Sequence, residues 1–137
     1  MRALNGLIRV HKWQLDERRQ QLAQLERLEE RLRNELAKLD EEAAREEAVA
    51  TGNPEAARAW ASYAEALRAR RQTYETSLAD VAAQLVLARE ALAESFQEVK
   101  RYEIAAAARQ KRDRAVVEQR LQIQQDEIAL QIYRRRA

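Results

Sequence analysis

The sequence predicts an all-α fold, a two-helix antiparallel coiled-coil hairpin whose C-terminal helix is the longer and overhangs its partner. Three observations predict it. The 137 residues contain only two Gly and one Pro, with 35% charged and 5% aromatic side chains, a composition of long helices rather than of mixed structure. Apolar residues recur at alternating steps of three and four on both sides of one break. That break, Ala50-Thr51-Gly52-Asn53-Pro54-Glu55, is the only place where a stop and a start signal stand together.

The first stripe runs Leu4, Ile8, His11, Leu15, Arg18, Leu22, Leu25, Glu29, Leu32, Leu36, Leu39 and Ala43, nine of the twelve being apolar. Neither Pro nor Gly interrupts it from Leu7 to Thr51. A repeat of 3.5 residues held this long keeps one apolar line turned toward a partner helix. Arg18 and Glu29 read as polar devices that fix register. At the break, Gly52 is expected to close the helix in a left-handed conformation. Asn53 is a suitable N-cap, Pro54 fits the first helical position, and Glu55 suits the positive helix end.

The second stripe runs Trp60, Ala64, Leu67, Arg71, Tyr74, Leu78, Val81, Leu85, Ala88, Leu92, Phe96 and Val99, with a small stutter between Leu92 and Phe96. Beyond Tyr102 it thins to Ile104, Val116, Val117, Leu121, Ile123, Ile128 and Ile132, with no breaker before the end. One domain over 1–137 is expected, with helix 1 over about 3–50, the turn over about 51–54 and helix 2 over about 54–133. A turn centred on Gly52 and Asn53 then places Leu39 near Ala66, Leu15 near Glu90, Leu4 near Arg101 and His11 near Glu94. Helix 1 would be about 70 Å long and helix 2 about 120 Å. Residues from about 102 onward would lack cover and need another molecule to supply it.

Composition excludes several classes of function. Without cysteine there is no disulfide, thiolate metal site or cysteine nucleophile. No apolar run is long enough for a transmembrane segment, and the N-terminal stretch, carrying Arg9, His11 and Lys12, lacks a signal-peptide core; the expected location is cytoplasmic. No cofactor and no small-molecule substrate is expected. The one histidine lies on the seam, where a bond to a facing carboxylate is the economical reading. Glu41, Glu42, Glu46 and Glu47 read as solvated charge, because a two-helix hairpin offers no cleft to shift paired acids.

Charge is uneven: residues 26–50 carry five basic and nine acidic side chains, and residues 101–137 carry nine basic and five acidic. Different partners at the two ends are implied. Nucleic acid is disfavoured, since Glu103, Asp113, Glu118, Asp126 and Glu127 interleave with the basic residues and no Phe or Trp there can stack a base. Trp60 and Tyr63, one turn apart just after the break, are either a seam plug or an aromatic anchor for a partner.

The start Leu7-Ile8-Arg9-Val10-His11-Lys12-Trp13-Gln14-Leu15-Asp16-Glu17 is followed by a leucine-heptad helix and a short turn. Then come Trp60-Ala61-Ser62-Tyr63, Lys100-Arg101-Tyr102-Glu103 and a charged tail with Asp126-Glu127-Ile128-Ala129. Over nearly its whole length this sequence resembles the flagellar export protein FliJ and, more distantly, the stalk proteins of virulence type III secretion systems.

The resemblance implies a non-enzymatic coiled coil, similar to a rotary-ATPase stalk, at the inner-membrane export apparatus. Its implied partners are the hexameric export ATPase, the cytoplasmic domain of the export gate, and export chaperones. It places gate contacts on Leu36, Leu39, Ala43, Trp60, Tyr63, Leu67 and Tyr74, although Arg71 and Tyr74 depart from the family's pattern. For the ATPase, the overhang offers Arg109, Lys111, Arg112, Val117, Arg120 and Leu121. A coiled-coil scaffold that homodimerises is the alternative from another class.

Overall fold

The computed structural model describes residues 2–136. Two helices account for nearly all of them: α1 spans Arg2–Ala50 and α2 spans Pro54–Arg136. They pack together as a helical hairpin, so the all-α fold class is borne out. The described residues fall into two compact units, Asp16–Glu94 and residues 2–15 with 95–136.

The Asp16–Glu94 unit contains the turn. The Thr51 amide still reaches the Glu47 carbonyl at 3.2 Å, and its hydroxyl donates to the Ala48 carbonyl at 2.8 Å. The last turn tightens as the Asn53 amide meets the Ala50 carbonyl at 3.5 Å. Asn53 then caps α2: its side-chain oxygen accepts the Glu55 amide at 3.0 Å, and its carbonyl accepts the Ala57 amide at 2.9 Å. The left-handed glycine expected at Gly52 is absent, for no glycine has positive φ. The Thr51 hydroxyl and the tightened turn satisfy the terminal carbonyls that a left-handed residue would otherwise serve.

From this turn α2 returns along α1, so that Glu42 meets Tyr63 and Asp40 meets Arg71. The seam buries Leu39, Ala50, Leu67, Val81 and Leu85, with Leu85 only 2% exposed. These aliphatic side chains exclude water along a line one residue deep, which is the packing that the sparse aromatic content allows.

In the other unit, Leu15, Ser95 and Val99 are buried. The stutter expected at Phe96 does not occur. Leu85, Ala88, Leu92, Ser95, Val99 and Tyr102 keep an unbroken four-three spacing, and Phe96, a further 100° round the helix, stands 47% exposed with the Lys100 ammonium 5.6 Å from its ring centre. A small serine on the seam continues the line, while the larger ring is displaced to a flank. Arg18 likewise stands exposed rather than in the seam, its long side chain free to reach water.

Candidate functional site

Two surfaces collect the residues singled out from the sequence. The first is the turn end of the Asp16–Glu94 unit. Trp60 and Tyr63 lie on one side of α2, their ring centres 6.1 Å apart and their planes tilted by 56°. With Glu46, Val49, Ala50, Ala56 and Ala59 they line an open groove of about 490 Å³. A smaller groove of about 260 Å³ runs beside it, lined in part by Leu39, Ala43, Trp60, Leu67 and Arg71. Trp60 borders both, so its indole is the ridge between them.

The polar rim of this surface is built by bonds between the helices and along α2. The Tyr63 hydroxyl donates to the Glu42 carboxylate. That bond, then desolvation, then the Glu42 charge hold the hydroxyl above its ordinary pKa. Arg71 binds Asp40 through Nη1 and Glu75 through Nε, the latter at 3.1 Å. The Asp40 hydrogen bond and charge, aided by Glu75, raise the guanidinium pKa further. An exposed ion pair of this kind contributes little stability, but it fixes the orientation of a side chain at the groove wall.

The seven residues implied as gate contacts divide by burial. Leu39 and Leu67 are 4% exposed, enclosed by the facing helix, so they support the surface from beneath. Leu36, Ala43, Trp60, Tyr63 and Tyr74 are half-buried and retain accessible atoms. Val49, exposed beside the groove, went unnoticed in the sequence because it sits off the heptad line. Its signal was only that a bulky β-branched residue stood one position before the end of α1.

The second surface is the end of α2. Among the described residues, every one from Ala107 to Arg136 is exposed. Arg109, Lys111, Arg112, Val117, Arg120 and Leu121 all lie here. The apolar residues form two lines rather than one. Val117, Leu121, Ile128 and Ile132 recur at helical spacing, while Val116, Ile123 and Leu130 recur every seventh residue along a second line. At 100° per residue these lines lie on average about 150° apart around the helix. A helix with two apolar lines suits enclosure on two sides. The thinning pattern read from the sequence merged them into one.

His11 occupies the seam of its unit. Its ring stacks on Tyr102 with centres 4.6 Å apart and a 22° interplanar angle. Its carboxylate neighbour is Glu98, with Nδ1 at 3.2 Å from Oε2, not the expected Glu94. Glu98 lies one turn farther along α2, where the register set by Val99 and Tyr102 presents it. The contact is close but poorly aligned, leaving the buried Nδ1 without a hydrogen bond. Lys12 lies 3.6 Å from Glu103 on the same side.

Among the described residues there is no group of three side chains able to hold a metal ion, and no helix long and apolar enough to cross a membrane.

Comparison with known proteins gives one match. A family model described as flagellar FliJ protein matches residues 1–137. No curated protein and no solved structure matches the chain.

Proposed function

The chain belongs to the FliJ family of flagellar export proteins, and from that premise we propose that it is the non-enzymatic stalk that couples the export ATPase to the membrane gate. Its part in flagellar protein export follows from the family. The finer assignment of its surfaces is the proposal.

The exposed end of α2 is assigned to the hexameric export ATPase. The observation that carries this is the run from Ala107 to Arg136, with its apolar lines left without a facing helix. A helix gains nothing in its own fold from valines, leucines and isoleucines kept in water. Covered by a ring, they would contribute binding free energy, and Arg109, Lys111, Arg112 and Arg120 would steer the encounter with an acidic lining. Val117 and Leu121 are the apolar anchors of that contact.

The turn end is assigned to the cytoplasmic domain of the gate. Trp60 and Tyr63, rigid and amphipathic, are suited to anchor an interface, with Leu36, Ala43 and Tyr74 around them and Leu39 and Leu67 as their packed support. Export chaperones would dock on the same protein, and the whole would associate peripherally with the inner membrane through the apparatus. Coupling would arise because binding at one surface changes the free energy of binding at the other.

The test is binding and activation of the purified export ATPase. Wild-type chain should bind with an affinity that falls as salt rises and should stimulate ATP hydrolysis. A double substitution Val117→Asp with Leu121→Asp should remove both effects while leaving gate binding intact. Trp60→Ala should do the reverse. Undiminished ATPase stimulation by the tail variant would refute the assignment. A chain that sediments as a tight dimer rather than as a 15.9 kDa monomer would favour a self-associating scaffold. Like charge opposes that outcome, because the exposed stretch 107–136 holds eight basic and four acidic residues.

A further inference from the structure

The outer face of the first four turns of α1 belongs neither to the seam nor to the two surfaces already described. We propose that this face, centred on Trp13 with Leu7, Val10, Arg2 and Arg9, docks directly on an anionic lipid bilayer.

Placement comes first. The seam side of this stretch is Leu4, Ile8, His11 and Leu15, all buried or half-buried. Trp13, two residues from both His11 and Leu15, is turned to the far side of the helix and is 64% exposed. Val10 and Leu7 precede it at steps of three and are also exposed. Arg9 stands four residues before Trp13, and Arg2 seven before Arg9, so both cations share the tryptophan's side of the helix. The indole therefore shares its side of the helix with two guanidinium groups that precede it by one turn and by three, and an exposed aliphatic pair stands beside it.

Charge then selects the occupant. From Arg2 to Leu15 there is no acidic residue, and the first, Asp16, lies 3.6 Å from Arg19. The unit to which this stretch belongs holds thirteen basic and six acidic side chains, whereas the Asp16–Glu94 unit holds twelve basic and seventeen acidic. Of the acids of the same unit, Glu98 lies against the seam residue His11 and Glu103 lies 3.6 Å from Lys12. A second copy presenting this face would bring like charge together.

The shape agrees. The three apolar side chains stand on a convex helix surface, which a flat and fluid sheet covers better than a shaped pocket. Tryptophan concentrates at the boundary between headgroups and acyl chains. Basic helices with an aromatic and aliphatic face lie in that boundary, held jointly by buried apolar area and by attraction to anionic headgroups. Neither contribution suffices here alone, since three apolar residues bury little, so binding should require both.

The experiment uses the full chain carrying Trp60→Phe, which leaves Trp13 as the only indole. It is titrated with vesicles of phosphatidylglycerol mixed into phosphatidylcholine, and with vesicles of phosphatidylcholine alone. Trp13 emission should shift to the blue with the anionic vesicles, with affinity at least about tenfold higher than for neutral ones, and the shift should weaken as salt is added. Trp13→Ala and Arg9→Glu should each weaken cosedimentation of the otherwise wild-type chain at least about fivefold, with helicity by circular dichroism and export-ATPase binding both retained. Retained ATPase binding separates this inference from the stalk proposal, which can fail independently. Equal binding to both vesicle types overturns the inference, as does binding with unshifted Trp13 emission. Loss of ATPase binding in Trp13→Ala with vesicle binding untouched would make the face a protein contact instead.

Discussion

The hairpin of Asp16–Glu94 and the final stretch of α2, Ala107–Arg136, are written in much the same alphabet and meet opposite fates. Both are helical, and both repeat branched apolar residues at heptad intervals. In the first, Leu39, Leu67, Val81 and Leu85 are buried against the facing helix; in the second, no residue is even half-buried. The first carries an acidic excess and the second a basic one. A heptad stripe states that a helix needs a partner. Only the presence of a facing segment decides whether that partner is the chain itself or another molecule.

The largest expected effect tests this contrast directly. Leu85→Ala should cost about 2–5 kcal/mol of stability, since it opens a cavity at the most enclosed seam position. Leu121→Ala, a chemically identical change in the bare stretch, should stay within about 0.5 kcal/mol. Urea titration followed by helical circular dichroism measures both. Equal losses would mean that the end of α2 contributes to the fold after all. A chain ending at Ala106 sharpens the same point, because it should keep the urea midpoint of the full chain while losing the export ATPase.

The hairpin was legible because helix period, break and cap are local signals. Leu39, Leu67, Val81 and Leu85 fall on the four-three line, and Asn53-Pro54-Glu55 states a helix start within three residues. The misreadings arose where two local choices were nearly equivalent. Phe96 looked like a seam residue because it is large, but Ser95 lies on the line and the line prevailed. The position of the turn alone pairs His11 with Glu94, yet the seam residues around Val99 set the register and present Glu98. At the candidate site, the aromatic pair and the basic overhang stood out by composition. The two apolar lines of the tail and the groove wall at Val49 depend on angle around the helix, which a list of heptad positions suppresses.

Asn53→Ala is the next effect in size. It removes the oxygen that accepts the Glu55 amide, and loss of such a cap costs about 1 kcal/mol. Thermal melting should register it, and Asn53→Asp should restore most of the loss because the carboxylate can accept the same bond. If Asn53→Ala melts like the wild type, the turn is held by the seam alone.

Gly52→Ala should move stability the other way. Its φ is not positive, and an added Cβ would meet no atom within 4 Å. Restricting the unfolded chain at a compatible position stabilises by about 0.4–1 kcal/mol. A left-handed glycine would give the opposite sign, so this single substitution discriminates between the turn expected from the sequence and the turn observed.

The smallest effect is also the most specific. Tyr63 donates to Glu42, and this bond raises the hydroxyl pKa in the folded hairpin above its unfolded value near 10. Below that value both states hold the proton, and the contribution of the bond is fully present. As pH rises past it, the unfolded chain releases its proton first, and stability falls until the folded hydroxyl also ionises. The signal is the difference between wild type and Tyr63→Phe. The wild-type advantage in urea midpoint should be constant from neutrality to about pH 9 and should shrink above pH 10. A difference that stays flat through the alkaline range would mean that the bond between Tyr63 and Glu42 does not persist in solution, and that the tyrosine at the groove is free to be claimed by a partner.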